Sequence, residues 1–205
     1  LLSQLDAGSW HSRAYAGEPL PTLDNVAGFC LRNGHCLNIE IKPTPDLEER
    51  TGRVVAEHAA RLWQGQAVPP LLSSFRPESL LGAREAAPTL PRALLLDSGN
   101  PRLRVKELGG TGRTHNWAFS RRIVETCGRP VFLAGGLRAE NVRDAVAAVK
   151  PFGLDLCSGV RTDDRLDVQK LKCFFDALAD WSRRAADSAT FFCTPPVFDV
   201  IGVKP

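Results

Sequence analysis

The chain has 205 residues, 43% of them hydrophobic and 24% charged, which fits an ordinary globular protein and leaves no room for two full-size domains. The formal charge of +3 is small, and the basic residues are spread along the chain. A nucleic-acid surface would show a denser basic cluster, so none is expected. No apolar run approaches the ~18–20 residues of a membrane helix, and LLSQLDAGSW lacks the basic-then-apolar order of a signal peptide. A cytoplasmic location is therefore expected. The absence of any Met suggests a chain that starts inside a longer reading frame. The six cysteines (30, 36, 127, 157, 173 and 193) form no CxxC pair and read as reduced thiols, several of them buried.

In chain order, the first 36 residues carry no convincing strand. Leu37–Ile41 alternates apolar and polar residues and stops at Pro43, which predicts a strand. Residues 47–64 read as a helix with acidic residues in its first turn and Val54, Val55, His58 and Leu62 at helical spacing. A second strand is predicted over 69–75, a helix over 77–87 opened by Pro77, and a third strand over 93–97. Then come a helix over 117–127 with Ser120 and Arg121 on its wet side, a strand over 131–136, a helix over 140–149, a strand over 153–158, and a helix over 168–181. Five nearly continuous apolar strands alternating with helices predict a parallel sheet covered on both faces. The expected class is α/β of the (β/α)8 TIM-barrel type, partial because a full barrel needs eight strands.

Three strand-end loops are rich in small residues: Gly109-Gly110-Thr111-Gly112, Gly135-Gly136 and Ser158-Gly159. Glycine lets backbone N–H groups approach a ligand, and helix N-termini add a positive field, so adjacent loops of this kind suggest a phosphate site. Each loop taken alone reads equally well as a tight turn.

LLLDSGN, LGGTGRTHNW, PVFLAGGLRAENV and PFGLDLCSGVRTDDRLD, in this order, resemble phosphoribosylanthranilate isomerase over residues 93–180. That resemblance implies an Amadori isomerisation of a phosphorylated aminoribose in tryptophan biosynthesis, without metal or organic cofactor. It makes Asp97 the general acid, Asp155 a substrate-holding residue, and Gly135, Gly136, Ser158 and Gly159 the phosphate loops, with Gly109, Gly110 and Gly112 near the substrate. It also implies a Cys base on the first barrel strand and an Arg after the second, and this chain has neither position. Cys157 cannot take the base role by motif, and Asn116 stands where the family often has Asp. Without the flanking motifs, Asp97 and Asp155 would each read as a helix cap or an ion-pair partner.

LDAGSW, AGEPLPTLD, LNIEIKPTP, PPLLSSF and REAAPTLPRALLLD resemble glycerophosphodiester phosphodiesterase over residues 3–97. This implies the alternative activity, hydrolysis with a divalent cation (Ca or Mg), Glu40 as one metal ligand and Lys42 beside the phosphate. Apart from those motifs, Glu40 and Lys42 read as a surface ion pair. The HRG, Glu-x-Asp and His-Asp motifs of that family do not occur, and His11, His35 and His58 stand outside them. The expectation is a hybrid: residues 1–97 phosphodiesterase-like, 93–184 isomerase-like with the LLLD strand shared as barrel strand six, and 185–205 a tail of unassigned origin. Strands four to eight alone would leave two open edges and invite self-association. The expected partner is a small phosphorylated substrate. A phosphate-binding protein without catalysis is the third reading.

Overall fold

The computed structural model describes residues 4–98, 113–163 and 165–179. Its centre is a five-stranded, all-parallel sheet in sequential order: β1 (Asn38–Glu40), β2 (Leu71–Ser74), β3 (Arg92–Leu96), β4 (Val131–Leu133) and β5 (Gly153–Leu154). The helices are α1 (Leu23–Arg32), α2 (Glu48–Leu62), α3 (Pro77–Ala86), α4 (Trp117–Thr126), α5 (Val142–Val149) and α6 (Val168–Ala177). Each predicted strand and helix of the repeating unit is present. Strand and helix alternating in one parallel sheet is the partial (β/α)8 arrangement expected.

Side-chain alternation splits the sheet into two faces. Ile39, Ile41 and Leu72 pack against α2 and α3 through Ala56, Ala59 and Ala83. Leu96, Leu133, Leu154 and Leu156 pack among Val142, Ala145, Val149, Phe174 and Leu178 of α5 and α6. Leu71, Ala93, Leu95, Phe132 and Ala134 form a third cluster on the opposite, concave face. By the same period, Glu40, Asp97 and Asp155 fall on the concave side at the carboxyl ends of β1, β3 and β5.

Several details differ from the sequence reading. Val54 is 55% exposed, and α2 instead buries Gly52, Ala56 and Ala59. Gly52 lies against the Ser79 carbonyl and Gly82 against the Glu49 carbonyl, so α2 and α3 meet at backbone distance over small residues. Ser120 is buried, not wet, because its hydroxyl pairs with His115 Nε2 at 2.6 Å. The thiol expectation also changes: of the described cysteines only Cys30 is buried, Cys36 and Cys127 are half-buried, and Cys157 and Cys173 are exposed. His58, at mid-helix, hydrogen-bonds Asp24 at 2.8 Å on the surface.

The last unit is shorter and more folded than a single strand. Pairing ends at Leu154, a 3-10 turn spans Ser158–Val160, and an antiparallel hairpin of β6 (Arg161–Thr162) and β7 (Arg165–Leu166) precedes α6. The Asp167 carboxylate caps α6, accepting from Gln169 N and Lys170 N at 3.0 Å each. In the first 36 residues there is no strand among the described residues; they hold a bridge between Asp6 and Pro19, a 3-10 turn over Arg13–Tyr15, and the helix α1, which the sequence reading lacks. The loop Gly109–Gly112 and the tail 185–205 lie outside the described residues.

Candidate functional site

All five strands run the same way, so their carboxyl ends share one rim. At that rim Asp97, Ala134, Gly135, Gly136, Leu137, Asp155, Cys157, Ser158 and Gly159 line a cleft of about 80 Å³. The residues read separately from the ends of β3, β4 and β5 thus share one space. The larger hollow, about 470 Å³, lies at the opposite end of the strands and is lined by Val68, Leu71, Phe132 and Phe152 among others. Its one charged lining residue is Arg92, whose guanidinium is engaged by the carbonyls of Ala87, Pro88 and Leu90.

The wall between β3 and β4 is built for a residue without a side chain. Gly135 has φ +89°, and a Cβ there would stand 2.5 Å from Asp97 Oδ1 and 2.9 Å from Ser98 N. Ser98 N and Oγ both donate to the same Oδ1, fixing the carboxyl against the glycine turn. Gly159 lies directly over the Leu137 carbonyl, so the turn after β5 touches the turn after β4. Asn141 clamps the latter: its Nδ2 donates to Gly136 O and its Oδ1 accepts from Arg138 N, each at 2.9 Å. The sequence put residues 140 and 141 in the first helical turn. In the structure α5 begins at Val142, and Asn141 braces the loop in place of a helix cap.

Asp155 stands just beyond β5, with its N–H donated to Leu133 O at 2.9 Å. Burial first, then the charges of Glu40 and Asp97, push its carboxyl up to about 6. Burial likewise raises Glu40, offset by Lys42 and reinforced by Asp97. Neither Asp97 nor Asp155 caps a helix among the described residues. The three carboxylates come from both sequence segments and feel one another across the concave face.

His115 is a site neighbour that the sequence did not single out. It precedes α4, bonds Ser120, and is held below the ordinary imidazole range by burial, with the Asp97 charge pulling the other way. Its signal is the T-H-N-W run, beside Asn116. That asparagine caps α4 by accepting from Ala118 N at 3.0 Å, a role Asn fills as well as Asp.

The metal reading fares differently. Lys42 Nζ lies 3.3 Å from Glu40 Oε2, the ion pair that was the plainer alternative. Among the described residues no group of three His, Cys, Asp or Glu side chains converges to hold a metal ion. The described donor set does not fit a divalent cation. No helix among the described residues is long and apolar enough to cross a membrane.

Fold and site together define a protein of the (β/α)-barrel class with a glycine-walled, carboxylate-bearing cleft at the carboxyl rim of its sheet. The chain belongs to the N-(5'-phosphoribosyl)anthranilate isomerase family, whose model matches residues 67–177, more than half of it. It is 51% identical over 67 residues to the isomerase of Methanothrix thermoacetophila, covering 33% of this chain and 32% of that protein. It is 33% identical over 154 residues to the isomerase of Haloferax volcanii, covering 75% of this chain and 66% of that protein. The chain therefore spans from 32% to 66% of the length of these relatives. Its fold is also similar to an Oleispira antarctica phosphodiesterase solved in complex with the product sn-glycerol-3-phosphate. The TM-score is 0.53 and the identity 23%, with 91% of this chain and 69% of that one covered, a likeness of fold alone.

Proposed function

We propose that the protein acts as a phosphoribosylanthranilate isomerase, converting an aldose amine to a ketose amine in tryptophan biosynthesis, without cofactor. The observation that carries this is the single cleft holding Asp97, Asp155 and the turns Gly135-Gly136 and Ser158-Gly159. Backbone N–H groups of those turns would hold the phosphate, because small residues let a phosphoryl oxygen reach the main chain. Asp97, steadied by Ser98, would deliver a proton to the ribose ring oxygen. Asp155 would hold the sugar, with Gly109, Gly110 and Gly112 as further substrate-binding residues. A small phosphorylated metabolite is the partner, in keeping with a biosynthetic enzyme of the cytoplasm.

Turnover of N-(5'-phosphoribosyl)anthranilate tests the reading, beside binding of inorganic phosphate followed by ³¹P NMR. Asp97→Ala is expected to lower kcat by about 10²–10⁴-fold, the usual contribution of a general acid, while phosphate still binds. Equal turnover in both proteins rejects Asp97 as the acid. Phosphate binding with no turnover in the parent chain would leave a non-catalytic phosphate-binding protein.

The phosphodiesterase-like ancestry of residues 1–97 is a second proposal, supported by the motifs around Glu40 and Lys42. In favour of a join at the LLLD strand, β3 pairs in parallel register with β2 on one side (Leu72 with Arg92) and β4 on the other (Leu94 with Val131). β1 and β5 each pair on one side only among the described residues, the basis for proposing self-association there. The Glu40–Lys42 pair is not a metal site by itself. Millimolar Ca²⁺ or Mg²⁺ is therefore expected to leave the melting temperature unchanged, and a metal-dependent rise abolished by Glu40→Gln would restore the hydrolase reading.

A further inference from the structure

A main-chain phosphate turn works best when its N–H groups already face the ligand. We propose that Asn141 is the positioning residue of the turn after β4, and that it presents the Leu137 N–H to a phosphoryl oxygen. This role rests on the phosphate site of the reading above and goes beyond it by naming one donor and the side chain that orients it.

The brace has two arms. Asn141 Nδ2 donates to Gly136 O and Asn141 Oδ1 accepts from Arg138 N, each at 2.9 Å. One partner is an acceptor and the other a donor, so a single orientation of the amide satisfies both. The side chain thus spans the two peptide units on either side of Leu137. Its own main chain is anchored as well. The Asn141 N–H donates to Arg138 O at 3.1 Å, and Ala145 N donates to Asn141 O at 3.0 Å. Val142, Ala145 and Val149 of α5 are fully buried, which fixes that anchor in the core.

A trans peptide points its C=O and its N–H in opposite directions. With the Gly136 carbonyl drawn to Asn141, the Leu137 N–H points away from Asn141. The next peptide repeats the logic in reverse: the Leu137 carbonyl lies against Gly159, and the Arg138 N–H points back to Asn141. The Leu137 side chain packs with Val142, Val160 and Phe174. Side chain and carbonyl are therefore both engaged, and the nitrogen is what Leu137 offers the cleft that it lines with Gly136, Ser158 and Gly159.

Leu137 is 3% exposed, and among the described residues its N–H meets no acceptor. Buried main-chain donors are almost always paired, so an orphan at this spot marks a place kept for a ligand atom. Aspartate could not replace the asparagine. It would still accept from Arg138 N, but its second oxygen would face the Gly136 carbonyl without a proton between them and release that arm.

Inorganic phosphate titrated into the full chain, followed by ³¹P and ¹H–¹⁵N NMR, tests the role in the parent, Asn141→Ala, Asn141→Asp and Thr22→Ala. Thr22 is the control: it caps α1 by accepting from Asn25 N, and α1 lends no residue to the cleft. Phosphate is expected to move the Leu137 amide resonance in the parent and the control. Both Asn141 variants are expected to bind phosphate about 10–100-fold more weakly. With N-(5'-phosphoribosyl)anthranilate their KM should rise by a similar factor, with kcat little changed. Phosphate affinity equal to the parent's in the Asn141 variants, whatever their melting temperatures, reduces Asn141 to a helix brace and overturns the proposal. So does a Leu137 resonance that phosphate leaves in place, a reading on the parent that stands even where a variant fails to fold. A parent that binds no phosphate overturns it too. A parent that binds phosphate through Leu137 but turns nothing over leaves Asn141 in its role and defeats the isomerase reading alone.

Discussion

Asp155→Asn is expected to make the protein more stable at neutral pH, even though it removes a group from the cleft. In the folded chain the carboxyl is pushed up from 3.8 to about 6, by burial first and then by Glu40 and Asp97. A raised carboxyl pKa means that the charged form is disfavoured by folding. The penalty is absent below pH 3.8, where both states are protonated. It accumulates as pH rises toward 6 and is complete above it. A shift of this size corresponds to about 3 kcal/mol, and partial solvation of the cleft brings the expected gain to about 2 kcal/mol at pH 7. Asparagine keeps the shape and removes the charge, and it also relieves Glu40, whose carboxyl Asp97 repels as well. Chemical denaturation of parent and variant at pH 7 and pH 4 reads the effect directly. A gain at pH 7 that shrinks to a small fraction at pH 4 is the expected result, and an equal difference at both pH values contradicts it. Stability gained where a substrate-holding group is lost is the pattern of a charge held against the fold's preference for the sake of function.

The main lines of this fold could be read from the chain because parallel strands buried on both faces leave near-continuous apolar runs, as in ALLLD at 93–97 and PVFL at 130–133. Strand ends were less legible. Beyond Ala134 and Asp155, whose N–H groups make the last ladder bonds, the chain still looks like strand but turns away to form the cleft. The α1 helix, capped by Thr22 and burying only Ala27 and Cys30, was not read from the sequence. Val54 and Ser120 were misplaced for physical reasons. A contact made through Gly52 and Gly82 carries no hydrophobic signature, and a serine satisfied by a histidine five residues away looks like any surface serine.

The site was legible to a different degree. Asp97, Gly135, Asp155 and Ser158 lie far apart in sequence, yet parallel topology puts every strand's carboxyl end on one rim, so their meeting in a cleft follows from the fold. What the chain could not reveal is the coupling across the concave face. Glu40 belongs to the phosphodiesterase-like motifs and Asp155 to the isomerase-like ones, and only the curvature of the sheet brings the Glu40 charge to bear on Asp155 and the Asp97 charge to bear on both.

Gly135→Ala is expected to damage both fold and binding. A residue with a side chain at φ +89° sits in a region that costs about 1–2 kcal/mol. At Gly135 the added Cβ would also stand 2.5 Å from Asp97 Oδ1 and 2.9 Å from the Ser98 nitrogen that donates to it. Neither neighbour is the tip of a long flexible side chain: one is a short carboxyl held by two bonds, the other is backbone. The strain therefore passes into β3, and a total loss of about 2–4 kcal/mol is expected. Gly128 supplies the control, because it too has a positive φ, +60°, but a Cβ there meets nothing within 4 Å. Gly128→Ala should lose only the backbone component, about 1 kcal/mol, and should bind inorganic phosphate like the parent. Gly135→Ala should lose the extra stability and the phosphate signal together, since the turn it pushes aside is the one offering main-chain N–H groups to the cleft. Equal losses in the two variants, measured by denaturation and ³¹P titration side by side, would show that the contact between Gly135 and Asp97 does not shape this site.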